Sequence, residues 1–266
     1  MNKTFFSVIT IILFSCSNNA TEDKTSAANN TIPEQEKKLR DLVAQYPDSL
    51  LLYENLIQYF RENGNYSQAI AETWYALKRD SSNGRLLYMN AILLSENEDT
   101  LQAIRAWEKV VDSDPQPENV LSLGSLYALT KNPMALTMAD ALLLAPKANA
   151  RVKALFIKGL YYSTAGDKTQ AIDFFNKCLS LDYSFLFAYR EKAIALYDTG
   201  KYLDALKVLE LSLAIKQTNE EAYYWMGRCF EKLGKKEEAI QNYQLALQID
   251  KEYIEAKDAL GKLGVK

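Results

Sequence analysis

Three cysteines, scattered carboxylates and no histidine are what this 266-residue chain offers for chemistry. Without histidine the usual general base near neutral pH and the commonest metal ligand are both missing. Glu54, Glu62 and Glu96 supply carboxylates, but acid–base hydrolysis needs two of them held as a pair in contrasting environments. No spacing marks such a pair. Asp112-Ser113-Asp114 stands just before Pro115 and reads as a helix end and turn, since no series of oxygen ligands follows it. A phosphate-cradling glycine loop and a nucleophile elbow are both absent from the sequence. The expectation is therefore a protein that is not an enzyme and holds no metal or cofactor. A formal net charge of −3 offers no basic surface to a nucleic-acid backbone. Binding of another protein is the chemistry left.

The elements that would build such a surface recur every 34 residues. Small residues fall at Ala69, Ala103, Ala171, Ala205 and Ala239, so one beat is skipped and the register survives it. A second ladder with the same steps reads Ala76, Val110, Cys178, Ser212 and Ala246. A beat of this length marks a stacked array of supersecondary units. Within one unit, Leu155, Phe156, Gly159, Leu160 and Tyr162 recur at helical spacing. Ala165-Gly166-Asp167 makes a turn, and Ala171 to Leu179 give a second helix with its own apolar face. Gly159 and Ala171 lack bulk where the two helices cross. Each pair leaves a face that the next pair covers. Gly124, Gly159, Gly227 and Gly261 occupy the close-packing position of first helices, and Gly64, Gly166, Gly200 and Gly234 occupy the turns. Helices near 34–45 and 254–263 read as terminal caps, and no stretch reads as a strand.

This pattern resembles the tetratricopeptide repeat. Tyr223, Met226, Gly227, Phe230, Ala239, Tyr243 and Ala246 carry it in the sixth unit, and Leu155, Gly159, Tyr162, Ala171, Phe175 and Cys178 in the fourth. Leu87, Ala91, Leu94, Ala103, Trp107, Val110 and Pro115 match in the second, Tyr53, Leu56, Phe60, Ala69 and Ala76 in the first, and Tyr189, Ala193, Ala205 and Ser212 in the fifth. The third, about 118–151, keeps Leu123-Gly124 and Tyr127 but has Thr137 on the alanine beat. Pro133 and Pro146 flank its second helix, so a short or distorted hairpin is expected there. The resemblance implies an all-α, right-handed superhelical solenoid of about six helix-turn-helix repeats with flanking helices over 34–266. Cys178 and Cys229 then lie about two repeats apart, too far for a disulfide, and read as small buried hydrophobes.

The N-terminus reads differently. Lys3 precedes an apolar run from Phe5 to Phe14, too short to span a bilayer and suited to a signal-peptide core. It ends in Leu13-Phe14-Ser15-Cys16, which resembles a bacterial lipoprotein signal. That resemblance implies cleavage after residue 15 and lipidation of Cys16, with several acyl chains, palmitate among them, as the membrane anchor. Ser17 follows the cysteine rather than aspartate, pointing to the outer membrane and a periplasmic location. Residues 17–33 are polar and rich in Asn, Thr, Ser and Ala, a flexible tether with a reach of roughly 20–25 Å.

The tetratricopeptide resemblance also implies which residues line the concave face. By repeat position they are Tyr88, Lys153, Phe156, Phe187, Arg190, Tyr197, Tyr224 and Arg228, a peptide groove rich in aromatic and arginine side chains. Glu54 and Gln58 stand where the lysine and asparagine of a carboxylate-clamp repeat would be, so that clamp is not expected. The function expected is a lipid-anchored adaptor recruiting envelope proteins or peptides in cell-envelope assembly or maintenance. A permanent structural subunit, pilotin-like or an outer-membrane assembly factor, is the alternative, and a binder of glycans or small ligands is the third class.

Overall fold

The computed structural model describes residues 32–265. The expected signal peptide (1–15), Cys16 and the tether up to residue 31 lie outside the described residues. Among those described, all regular structure is helical. The chain forms two compact units divided at Pro115 and Gln116. Proline on either side of Gln116 accounts for the break, because Pro115 cannot extend the preceding helix and Pro117 opens the next one.

The first unit contains α1 (Glu34–Gln45), α2 (Leu50–Glu62), α3 (Tyr66–Leu77), α4 (Gly84–Glu96) and α5 (Thr100–Ser113). The second contains α6 (Pro117–Leu129), α7 (Met134–Leu144), α8 (Ala148–Ala165), α9 (Lys168–Leu181), α10 (Leu186–Asp198), α11 (Tyr202–Ile215), α12 (Glu220–Lys232), α13 (Lys236–Ile249) and α14 (Ile254–Lys262). From α2 to α13 the helices pair as successive hairpins, with α1 packed on α2 and α14 on α13.

The hairpin turns show why these sequences fold this way. Side chains at the starts of second helices cap their first turns: Asn65 accepts from Gln68 N, Asp99 from Gln102 N and Asp167 from Gln170 N. The two backbone and side-chain bonds from Gln170 also hold the Asp167 carboxyl below its usual range. Gly166 ends α8 at a φ of 99°, a left-handed conformation that glycine adopts freely. Two other turns adopt the same backbone without glycine, at Glu98 and Lys131.

Helix crossings rest on the expected glycines, with one correction. A β-carbon at Gly227 would lie 2.5 Å from the Tyr243 ring, one at Gly124 would lie 2.6 Å from Ile157, and one at Gly159 would overlap Phe175. Gly261 is different: a β-carbon there would meet nothing within 4 Å. It sits near the end of α14, and among the described residues no helix crosses closely there, so the expected close approach is absent.

The skipped beat in the third hairpin is a slip of the buried face. Ala135, Ala139 and Leu142 face the core of α7, two residues ahead of the frame set by Ala103, Trp107 and Val110 in α5. Thr137 is exposed, and Leu144 is 88% exposed. The preceding α6 is already one residue ahead, with its tight glycine at Gly124. The frame returns in α8, whose 18 residues make it the longest helix described, while α7 has only 11. The short second helix expected from Pro133 and Pro146 is thus present, compensated by an added turn in its successor.

Candidate functional site

The eight expected groove residues are divided between the two units. Tyr88 belongs to the first unit; it is 39% exposed and meets Trp107 edge-on at 5.5 Å. The other seven lie in the second unit, on α8, α10 and α12.

Phe156 is 5% exposed, and this corrects its reading as a lining residue. Its ring is surrounded by Phe175 at 5.9 Å, Phe185 at 5.2 Å and Phe187 at 6.4 Å. Phe185, in the connector before α10, supplies the cover. Lys153 is tied to Glu118 at 3.0 Å with its side chain largely buried. Phe187 is half-buried and carries the Arg190 guanidinium 5.7 Å above its ring. Arg190 pairs with Glu191 at 2.8 Å and Glu221 at 2.9 Å. Burial alone would lower its pKa, but the two carboxylates outweigh burial and raise it, so the charge is kept and fully neutralised. A guanidinium so occupied pins α10 to α12 and has little left for a ligand.

Tyr197, Tyr224 and Arg228 form a second cluster. Arg228 Nη1 donates to the Tyr224 hydroxyl at 2.9 Å and Nη2 to the Tyr197 hydroxyl at 3.2 Å. The same guanidinium lies 5.4 Å from the Tyr197 ring, 5.8 Å from Tyr224 and 5.6 Å from Trp225. Trp225 meets Tyr197 edge-on at 5.5 Å and Tyr224 at 5.7 Å. Tyr202 and Tyr253 extend the aromatic floor against Tyr197 and Tyr224. Behind it, Tyr243 packs on Tyr224 at 5.7 Å and donates its hydroxyl to Glu231. Tyr243 is fully buried, but Tyr197, Tyr202, Tyr224, Trp225 and Tyr253 are each half-buried, so the cluster is accessible from solvent.

Trp225, Tyr202 and Tyr253 were not among the expected site residues. One spacing could have found the cluster. Contacts between consecutive first helices recur 31 residues apart: Glu54 with Arg85, Glu118 with Asn149, Arg190 with Glu221, and Tyr197 with Arg228. One 34-residue repeat less a helical turn brings a residue opposite its neighbour. Three of these are pairs of charged or amide groups. The Tyr197–Arg228 pair alone sets a cation against aromatic hydroxyls.

The remaining chemistry-bearing residues are held as structural parts. Glu54 accepts from Arg85 at 2.8 Å, Glu96 from Arg61 at 2.7 Å and Glu62 from Gln58 at 2.9 Å. Cys178 and Cys229 are free thiols, buried as expected. Burial pushes both pKa values up to about 12, in Cys229 against the opposing pull of Arg228. Neither is a thiolate near neutral pH.

Comparison with known proteins identifies the class of fold. Residues 152–185 and 220–253 each match a family model described as the tetratricopeptide repeat. With the hairpins of α2 to α13, they define an all-α tetratricopeptide solenoid. A crystal structure of a tetratricopeptide repeat protein from Parabacteroides merdae is similar, with a TM-score of 0.71 and 21% identity over 86% of this chain and 91% of that one. The Cut9–Hcn1 hetero-tetramer of the APC/C is also similar, with a TM-score of 0.57 and 17% identity over 86% of this chain and 46% of that chain. At these identities the likeness is one of fold. No curated relative matches the sequence.

Proposed function

We propose that the protein is a lipid-anchored adaptor whose tetratricopeptide array recruits another protein at the bacterial outer membrane, facing the periplasm. The observation that carries the recruiting role is the accessible aromatic–arginine cluster of Tyr197, Tyr224, Trp225 and Arg228 on two consecutive first helices. Tyrosine, tryptophan and arginine dominate binding energy at protein interfaces, because each buries a large area with few rotatable bonds or several directed donors. The anchor rests on Leu13-Phe14-Ser15-Cys16 at the end of an apolar run. Beyond it, the polar segment to residue 33 leaves the array free to meet partners near the membrane rather than lie on it.

Cys16→Ser tests the anchor. Metabolic labelling with radioactive palmitate should mark the wild-type protein and leave the variant unlabelled, either released from the membrane fraction or still carrying its signal. Equal labelling of the two proteins would refute lipid attachment at this residue.

A permanent structural subunit is the second reading, and one feature favours it. Leu181, Ile215 and Ile249 recur 34 residues apart near the ends of α9, α11 and α13 and are 50%, 36% and 37% exposed. A periodic apolar edge is suited to lasting burial against a partner. Crosslinking followed by high-salt washing of membranes separates the readings: a transient ligand is lost in the wash, and a structural partner is retained without crosslinks.

A further inference from the structure

We infer that Arg228 is a receptor for a single carboxylate, an aspartate or glutamate side chain in the segment that the array recruits. The inference rests on the adaptor reading and names the chemistry of its site.

Among the described residues, Arg228 forms no ion pair; its partners are two tyrosine hydroxyls and three ring faces. Arg190, one helix away, is neutralised by two carboxylates. A half-buried guanidinium has lost part of its hydration, and ring faces return only a fraction of what an anion would supply. Its fork has five N–H donors, of which the two tyrosines use two. Each of those hydroxyls accepts from Arg228, so its own proton is free to donate elsewhere. The site therefore offers three guanidinium N–H and two O–H donors, and its only acceptors are the two neutral tyrosine oxygens, with no carboxylate among its defining groups. Held between Tyr197, Tyr224 and Trp225, the guanidinium is already ordered, and little rotamer entropy remains to be lost on binding.

A donor-rich site around one unpaired cation suits a monoanion. A carboxylate accepts two parallel N–H bonds from the guanidinium fork. A phosphate dianion calls for more than one cation, and the other arginine nearby is already paired. The aromatic floor extending to Tyr202 and Tyr253 suits an apolar residue beside the acidic one. With an overall charge of −3, long-range steering does not favour an acidic ligand, so recognition rests on these local contacts.

The test uses the full chain and an array of immobilised 12-residue peptides. Each peptide carrying Asp or Glu beside an aromatic residue is paired with its Asn or Gln counterpart, and a phosphoserine version completes each set. The wild-type chain should retain the acidic peptides over their amide partners. Arg228→Gln should lose roughly ten- to hundredfold in binding to them with an unchanged melting curve, and Arg228→Lys should fall between. Peptide capture with no preference for the acid, unaffected by Arg228→Gln, would overturn the carboxylate site and leave the adaptor reading standing. Preference for the phosphoserine version would overturn it in favour of phosphate. No peptide capture at all would count against both the site and the adaptor reading.

Discussion

Gly159→Val is expected to lower the melting temperature by about 5–10 °C, equivalent to roughly 2–3 kcal/mol in a domain of this size. A side chain on Gly159 runs into the Phe175 ring, and Phe175 is fully buried between α8 and α9. The ring cannot swing aside, because Phe156 packs on it at 5.9 Å and is itself enclosed by Phe185 and Phe187. Overpacking at a fixed crossing forces the helices apart. Gly261→Ala is the matched control. Nothing lies within 4 Å of a β-carbon there, so the gain in helix propensity should leave the protein unchanged or up to about 1 kcal/mol more stable. Thermal melts of the two variants side by side check the packing; an equal response from both would refute it.

Tyr243→Ala should cost about 4 kcal/mol, the range for truncating a large buried aromatic. Tyr243 is fully buried, fills the space left open at Gly227 and supports Tyr224 from behind. Tyr243→Phe keeps the ring and removes only the O–H donated to Glu231, so about 1 kcal/mol is expected. The pair also reports on the site. Tyr243→Phe should bind as the wild type does, because the floor beneath Tyr224 is intact. Tyr243→Ala should weaken binding both by removing the support beneath Tyr224 and by destabilising α12 and α13. Chemical denaturation alongside peptide binding checks both; a stable alanine variant would show that the ring is not a core element.

Much of this fold was legible because small residues have few alternatives at a close crossing. Ala69, Ala103, Ala171, Ala205 and Ala239 are all fully buried, and their spacing alone places five hairpins. The third hairpin hid its register because its slips cancel. From Ala103 the buried beat moves 32 residues to Ala135 and then 36 to Ala171, so the total still equals two repeats. Only the exposed Thr137 between two buried alanines betrays the rotation of α7. Division of the chain at Pro115 was within reach of the Pro-Gln-Pro sequence.

The site was legible only in part. Repeat position tells which side of a first helix a residue occupies, but not what the next segment lays over it. Phe156 shares a side with genuine surface residues, yet Phe185 covers it. Arg190 and Arg228 look alike in sequence. They differ because Arg190 meets Glu221 one repeat less a turn away, whereas Arg228 meets Tyr197. Trp225 escaped notice because it lies between the positions assigned to the groove, and its ring reaches the cluster sideways.

The central claim, recruitment through the α10–α12 face, is tested most directly by site-specific photo-crosslinking in the native host cell. A photoreactive phenylalanine analogue is placed at Tyr197 in one protein and at Ile215, on the exposed apolar edge, in another. The adaptor account predicts that illumination joins the Tyr197 variant to one defined protein, that Arg228→Gln in the same chain abolishes the product, and that Ile215 yields none. Capture from Ile215 alone, or a Tyr197 product indifferent to Arg228→Gln, would contradict it.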